Sequence, residues 1–362
     1  MPKTTDTAKP AEKPGLLLVN LGSPDAPTAK ATRKYLFQFL HDWRVIDTTR
    51  WLWCPILHFI ILRIRPAKSA KAYASIWGHV DDIPGDEGPL VRITRAQAQG
   101  VQDRLGDDVI VDVAMRYGNP SIGDAMDRLK AQGCTRIAVL PMYPQFAGAT
   151  TASVYDGVAK ALMKRMDVPE LRFLRHYYDD PRFIKVLGDS LTEHLATLDW
   201  TPDVVMTSYH GLPQSYVDKG DPYQGECIET TNLLRDYLGM TEQTLQTTFQ
   251  SRFGPKAWLQ PYTDKTLEAM PSEGVKKVAV MMPGFSADCL ETLEEIAIEA
   301  HETFEEHGGE KFTAVPCLNH SPAHLDFLAD LARERLLHGW LPDTKPAKKA
   351  KPRTKPKSRA RA

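Results

Sequence analysis

Five short apolar runs, separated by helix-length segments, constrain the fold more than any other feature of the chain. They are rich in Val, Ile and Leu and lie at 15–22, 108–118, 135–144, 203–211 and 276–284. Continuous apolar runs of this length are typical of parallel strands that are covered on both faces, because a strand with one wet face alternates apolar and polar residues. The sequence therefore predicts an α/β fold built from doubly wound, Rossmann-like parallel sheets.

The chain also repeats itself weakly. GCTRIAVLPM, from Gly133, is similar to GVKKVAVMMP, from Gly274, and LLLVNLGSP is similar to VVMTSYHGLP. Two similar halves that flank a cleft are therefore predicted, and chance similarity between strand-exit sequences is the alternative. The predicted units are a flexible N-terminal arm (1–13), an N-terminal half (14–175) and a C-terminal half (176–330). A connecting segment (331–344) and a disordered basic tail (345–362) follow.

Composition excludes several classes of protein. The five cysteines are scattered and lack CxxC spacing, which argues against a disulfide framework or a structural zinc site and favours a reducing cytoplasm. The N-terminus has no apolar core of the kind found in secretory signals. The tail carries nine Lys or Arg and no acid, so an anionic membrane, RNA or solubility alone are the alternatives for its role. A nucleic-acid function is not expected, because it would depend on the tail alone.

The stretch WLWCPILHFIILRI, residues 51–64, is strongly apolar but too short and too interrupted to span a bilayer. Two interpretations remain at this point. One is a buried core helix. The other is an exposed amphipathic segment, here called the lip, whose Trp51 and Trp53 suit a membrane interface.

His210 stands directly after a predicted strand and before a Gly-Leu-Pro turn. Ligands of doubly wound sheets bind beyond the carboxyl ends of the strands, where Arg116, Tyr117 and Tyr143 are also predicted. A histidine at such a position can accept a proton near neutral pH or offer a nitrogen to a metal, and a histidine bonded within its loop is the alternative.

The segment from Phe285 to Ala300 places Glu291, Glu295 and Glu299 at i, i+4 and i+8. On an α-helix these carboxylates lie along one face, with Asp288 in the first turn. A solvated acidic face is one interpretation, and a path for protons or a cation into the cleft is the other. The sequence contains no GxGxxG, GxxxxGK[ST], GxSxG or HExxH, and the aromatic residues near strand exits suit a flat apolar ligand.

Six motifs, in order, resemble the ferrochelatase family over about residues 15 to 330: LLLVNLGSPDAPT, MRYGNP, LPMYPQFAGATT, SYHGLPQSYVDKGDPY, FQSRFGPKAWLQPYTDKTL and PGFSADCLETLEEIAIE. The resemblance implies a lyase-class metal chelatase that inserts Fe²⁺ into protoporphyrin IX at the end of haem biosynthesis. It implies that His210 and Glu291 are the catalytic residues and the metal contacts. The acidic path that it implies consists of Glu295 and Glu299, to which Asp288 is added.

The resemblance also implies a porphyrin pocket, and we assign to it Leu21, Arg116, Tyr117, Tyr143, Ser208 and Tyr209. Leu21 departs from members that carry Met or Tyr there, which leaves the metal-side ligand open. The apolar stretch 51–64 falls where the family has a lip over the pocket, which favours peripheral membrane contact. Fe²⁺ is expected as substrate, with no tightly bound cofactor and no [2Fe-2S] cluster, because no cysteine follows Cys317.

The expected location is the cytoplasm, with contact to the inner face of the membrane through 51–64 and the basic tail. Three alternatives stay open on the sequence: a chelatase for coproporphyrin III, a chelatase for sirohydrochlorin, and a tetrapyrrole-binding protein without catalysis. The last would need a cleft but not the pair of His210 and Glu291.

Overall fold

A computed structural model of the chain describes residues 13–80 and 82–341. The predicted basic tail and all but the last residue of the predicted N-terminal arm lie outside the described residues. The described residues contain two four-stranded sheets, in the orders β2-β1-β3-β4 and β6-β5-β7-β8, and every pairing is parallel. The strands are β1 Gly15–Asn20, β2 Ile110–Met115, β3 Arg136–Pro141, β4 Glu170–Phe173, β5 Val204–His210, β6 Leu245–Gln250, β7 Lys277–Met281 and β8 Lys311–Ala314.

Helices connect the strands. The α-helices are α1 Ala29–Leu40, α2 Arg50–Ile56, α3 Leu62–Ile76, α4 Pro89–Leu105, α5 Ile122–Ala131, α6 Ser153–Leu162, α7 Pro181–Ala196, α8 Gln214–Val217, α9 Tyr223–Leu238, α10 Thr263–Ala269, α11 Leu290–Leu293, α12 His301–Glu306 and α13 Pro322–Leu331. Short 3₁₀ turns lie at Gly106–Asp108 and Met270–Glu273. Segments of π-helix lie at Leu57–Ile61, Gly148–Ala152, Glu295–Ala300 and Ala332–Leu336.

The predicted fold class and the internal repeat are confirmed. All five apolar runs form strands, and the two pairs of similar segments are β1 with β5 and β3 with β7, which occupy the same positions in their sheets. Local signals fix several helix ends. The Asp180 carboxylate accepts a hydrogen bond from the Arg182 amide at 3.0 Å where α7 begins, and Gly239, with φ of 66°, ends α9.

The two sheets share a core. One apolar cluster joins Leu16 and Leu18 of β1 to Val205 of β5 and Ala279 of β7, so the halves are packed together on one side. The predicted connecting segment, as far as it is described, contributes to this cluster through buried side chains that include Trp340. The domain boundaries themselves stay a prediction.

The lip is amphipathic rather than buried. Leu57 and Leu62 are buried and pack with Leu40 of α1, whereas Trp51 is 73% exposed and Phe59 66% exposed. The interpretation of 51–64 as a buried core helix is therefore wrong for the outer face of this segment. None of the helices within the described ranges is long and apolar enough to cross a bilayer.

Candidate functional site

His210 is the last residue of β5 and is half-buried. Its Nδ1 lies 2.7 Å from the carbonyl oxygen of Gly211. A carbonyl oxygen can only accept, so Nδ1 carries the hydrogen, and in the neutral ring Nε2 holds the lone pair. The turn after the strand therefore fixes the tautomer in which Nε2 can accept a proton or bind a metal.

A closed crevice lies between the two halves and is mostly apolar. It is lined by Leu21, Gly22, Ser23, Tyr73, Ile76, Pro89, Leu90, Cys289, Leu290 and Glu291, and its volume is about 10 Å³. That volume holds about one water molecule. Leu21 reaches the crevice because the chain turns tightly at Gly22, where φ is 106° and a Cβ would come within 1.8 Å of the Tyr117 carbonyl oxygen. Leu21 and Glu291 are far apart in the sequence, and the fold brings both of them to this crevice.

Tyr143 follows β3, at the position equivalent to the loop after β7. Burial raises the pKa of Tyr143 well above its usual value, and the nearby carboxylate of Glu291 acts in the same direction. Its hydroxyl is buried and has no hydrogen-bond partner among the described residues. The hydroxyl is thus a polar atom held in an apolar site beside Glu291.

The carboxylate row differs from the predicted α-helical stripe. Glu291 lies in the short helix α11, and the chain continues as π-helix from Glu295. The Glu299 amide donates to the Glu294 carbonyl oxygen at 2.9 Å, a bond across five residues. Because a π turn holds an extra residue, Glu294 and Glu299 share a face, and the prediction of one straight row through Glu291, Glu295 and Glu299 is only partly right.

Glu295 connects this row to His210. Its carboxylate accepts hydrogen bonds from Ser251 Oγ at 2.5 Å and Gln250 Nε2 at 3.3 Å. Burial raises the pKa of Glu295, and the charge of Glu291 adds to this, whereas the Ser251 hydrogen bond and the charge of His210 oppose it. Gln250 Nε2 also donates to the Glu291 carbonyl oxygen at 2.8 Å, so one amide holds both acids in place.

Glu294 continues the acidic path outward. Burial, with the charges of Glu299 and Glu295, raises the pKa of Glu294 to about 7, and Lys68 opposes the shift. Glu299 is exposed. A carboxyl with a pKa near neutrality can both take up and release protons under cellular conditions. The row of acidic side chains therefore leads from the half-buried pair of His210 and Glu295 to solvent.

Asp288 does not continue this row. It is buried and precedes α11, and its oxygens accept from Thr292 Oγ1 at 2.9 Å, Asn319 Nδ2 at 2.6 Å and the Cys317 amide at 3.3 Å. All of these bonds hold the start of α11 in place. The structure thus gives Asp288 a positioning geometry, and its place in the proton or metal path stays a prediction.

Arg116 and Tyr117 converge on a carboxylate that the sequence analysis did not single out. Arg116 pairs with Asp42, and the Tyr117 hydroxyl donates to the same carboxylate at 2.8 Å. Burial acts to raise the pKa of Asp42, but hydrogen bonds from Ser153 and the Arg44 amide, with the charge of Arg116, lower it overall. Both predicted porphyrin contacts thus have their polar atoms engaged within the first half.

Ser208 and Tyr209 lie inside β5 and are fully buried. Ser208 Oγ bonds Gln250 Oε1 at 2.8 Å, and the Tyr209 hydroxyl lies 3.0 Å from Thr231 Oγ1. They therefore lie behind His210, and Ser208 fixes the amide that holds Glu295. Their predicted direct contact with porphyrin stays a prediction.

Sequence reasoning missed Gln250, Ser251 and Glu294. Gln250 ends β6 and Ser251 follows it, and the polar residues of β6 hide it as a strand, although both residues fall inside one quoted motif. Glu294 was missed because a π turn is not visible in an i, i+4 pattern. Within the part of the chain that the structure describes, no three His, Cys, Asp or Glu side chains are grouped as a metal site.

The comparisons with known proteins agree with one another. The sequence model of the family described as ferrochelatase matches residues 13–336. Ferrochelatase of Rhodopseudomonas palustris is 51% identical over 332 residues, which cover 91% of this chain and 95% of that protein. Ferrochelatase of Agrobacterium fabrum is 52% identical over 331 residues, with coverage of 91% and 95%. The solved structure of SirB from Bacillus subtilis with Fe³⁺ is similar in fold, with a TM-score of 0.53 at 11% identity and coverage of 91% and 98%.

Proposed function

The chain belongs to the ferrochelatase family, and from this premise we propose how its crevice carries out the family's reaction. The protein is a metal chelatase that inserts Fe²⁺ into protoporphyrin IX, gives protohaem and releases two protons, the last step of haem biosynthesis. The observation that carries the proposal is the His210 tautomer, because its Nε2 is free to accept a proton and the ring interacts electrostatically with the half-buried Glu295.

The first step is removal of the pyrrole protons. His210 Nε2 accepts a proton from a pyrrole nitrogen, and the Glu295 carboxylate stabilises the imidazolium. The imidazolium then gives this proton to Glu295, and the neutral ring can accept the second pyrrole proton in the same way. Glu295 passes the proton to Glu294 and the exposed Glu299. Since the pKa of Glu294 is about 7, the relay can release protons to water at cellular pH.

The walls of the crevice position the macrocycle. Of the proposed ring contacts, Leu21 and Glu291 line the crevice itself. The proposal places Tyr143 with Leu21 on one face of the ring, and His210 with Glu291 on the other. Arg116, Tyr117, Ser208 and Tyr209 support these walls. Because the crevice holds only about 10 Å³, the side chains of α3 that close it, Tyr73 and Ile76, must move before a tetrapyrrole enters. Holding the ring out of plane would expose the pyrrole lone pairs.

Fe²⁺ is the substrate metal. His210 and Glu291 offer the nitrogen and oxygen ligands that this ion accepts. We assign no tightly bound cofactor and no [2Fe-2S] cluster.

Peripheral membrane contact through the lip is part of the proposal. Phe59, Ile60 and Ile64 are 66%, 51% and 69% exposed. Arg33 and Arg63 line the groove beside them. An apolar face with basic neighbours suits the inner, anionic surface of a membrane, consistent with a cytoplasmic protein. No nucleic-acid partner is proposed.

Vesicle co-sedimentation tests the membrane contact. The full chain should bind vesicles that contain an anionic lipid, and replacing Trp51, Phe59 and Ile64 with Ser should release it. The matched control is Met166→Ser, which removes an exposed apolar side chain from another surface. Deleting residues 345–362 measures how much the basic tail contributes to vesicle binding. Equal binding of the lip variant and the control would remove the lip from the contact.

Anaerobic incubation with Fe²⁺ and protoporphyrin IX, followed by haem absorbance, tests the activity. Coproporphyrin III and sirohydrochlorin are assayed beside it. The apolar lip favours the less carboxylated protoporphyrin, so haem should form fastest. A faster reaction with coproporphyrin III or sirohydrochlorin would change the assigned substrate. Tetrapyrrole binding without turnover would indicate a binding protein without catalysis.

A further inference from the structure

Two histidines outside the crevice face one another across the base of the lip. His41 caps the end of α1, and His58 lies in the π-helical segment Leu57–Ile61. Their Nε2 atoms are 3.1 Å apart, and their ring planes meet at 64°. Both rings contact Phe37, and both are at least partly exposed to solvent.

The first histidine is already oriented as metal-binding histidines are. His41 Nδ1 lies 2.7 Å from the Phe37 carbonyl oxygen, so Nδ1 carries the hydrogen and Nε2 presents its lone pair to His58. Histidine ligands of metals almost always donate their other ring N–H to a carbonyl or carboxylate in this way. The backbone of α1 thus supplies the outer-shell bond.

The distance between the two nitrogens fits one metal. Nitrogen ligands lie roughly 2.0–2.1 Å from a divalent transition metal, and angles between octahedral and tetrahedral values then place two of them roughly 2.9–3.4 Å apart. The observed separation of 3.1 Å falls in this range. The competing explanation is a single proton shared between the rings, with no metal.

The surroundings limit the kind of metal. His58 opens on a groove of about 490 Å³ that is also lined by Lys30, Arg33, Lys34 and Arg63. Four cationic side chains disfavour Mg²⁺ and Ca²⁺, which bind through oxygen ligands and charge. They favour metals that bond strongly to imidazole, such as Cu²⁺, Ni²⁺ and Zn²⁺, and they can hold an anion that completes the coordination.

We propose that His41 and His58 form a two-histidine site for a divalent transition metal that ties the lip to α1. None of the residues that line this groove lines the crevice at Glu291, so the site is separate from the reaction. Only a few buried anchors, Trp53, Leu57 and Leu62, hold the lip on the cluster with Leu40. A metal bridge there would restrain the π-helical segment.

The test is a titration of the full chain with Zn²⁺ and Ni²⁺ by calorimetry, without porphyrin. His58→Gln and His41→Gln should each remove one equivalent or weaken it at least about tenfold, since even outer-shell changes at metal sites cost this much. The matched control is His307→Gln. His307 also ends a helix and bonds the carbonyl four residues earlier, Thr303, at 2.8 Å, but has no facing histidine.

Two further readouts identify the ligands and the restraint. Electron paramagnetic resonance of bound Cu²⁺ should show two nitrogen ligands in the wild type and one fewer in either variant. Hydrogen exchange at 57–61 should slow with Zn²⁺ in the wild type only. Unchanged binding in both variants would overturn the site, and binding without slower exchange would overturn the tie to the lip. Loss of the site with normal haem formation would leave the proposed function intact.

Discussion

The two halves of the molecule use the same sheet and present different chemistry at its edge. In the first half, β1 and β3 lead to Leu21 and Tyr143. In the second half, β5 and β7 lead to His210 and to the loop that reaches Glu291. The repeated frame therefore fixes where the residues lie, and the residues after each strand decide what each half does.

The halves also treat charge in opposite ways. The first half neutralises Arg116 with Asp42, Tyr117 and Ser153 inside one cluster. In the second half, burial and then the charges of neighbouring carboxylates raise the pKa values of Glu294 and Glu295. We therefore propose that the first half forms a wall for the ring and that the second half moves protons.

Two single variants, one in each half, should show the largest difference in kcat and KM. Glu291→Gln should lower kcat by about 10²–10³-fold, because it removes a charged group at the reacting centre, with little change in porphyrin affinity. Leu21→Ala should mainly raise KM, because it removes apolar contact. Steady-state kinetics with both substrates measures the split. Similar kcat and KM changes in the two variants would contradict the division of labour.

Glu295 should matter less than Glu291, because it acts in the relay. Glu295→Gln should lower kcat about tenfold, a barrier increase of about 1.4 kcal/mol, and should flatten the pH profile of kcat. Ser251→Ala removes the hydroxyl that donates a hydrogen bond to Glu295, so it should shift the pH profile of kcat upward in pH. An unchanged profile in both variants would exclude Glu295 from the relay.

Two tyrosines whose hydroxyls are buried should respond oppositely to loss of that hydroxyl. Tyr117 donates to the Asp42 carboxylate, so Tyr117→Phe should lower the free energy of unfolding by about 2 kcal/mol. Tyr143 has a buried hydroxyl with no partner among the described residues, so Tyr143→Phe should raise the free energy of unfolding by about 1 kcal/mol. Denaturant midpoints at equal slope measure both. A loss of stability in Tyr143→Phe would show that its hydroxyl is paired.

The smallest expected effect is a pH dependence of stability from Glu294. Its pKa of about 7 exceeds the ordinary value of 4.5, so the folded chain holds this proton longer than the unfolded chain and stability falls as pH rises through 7. Glu294→Gln should therefore stabilise the protein at pH 8, by about 1 kcal/mol or less because water screens a partly exposed group. At pH 4 the difference should vanish.

Glu302→Gln, on the exposed surface of α12, is the control for this measurement. It should give equal differences at both pH values. A Glu294 variant that is no more stable than the wild type at pH 8 would show that the carboxylate is well solvated.

The sequence predicted the parts of the fold that depend on continuous apolar runs, and it missed those that do not. The edge strands β4 and β8 are four residues long and β6 reads LQTTFQ, so none of the three shows an apolar run. The place of His210 followed from a strand exit, and that of Leu21 from the family resemblance. Gln250 and Glu294 did not, because the first depends on which strands are neighbours and the second on a π turn set by packing.

The central claim is that His210 acts as the base and that porphyrin binding does not depend on it. It is tested most directly on one preparation of His210→Ala, by titrating protoporphyrin IX by fluorescence and then adding Fe²⁺ anaerobically, with His307→Ala as control. The account predicts porphyrin binding equal to that of the wild type and haem formation at the uncatalysed rate. Wild-type turnover in His210→Ala, or loss of porphyrin binding as the only defect, would contradict it.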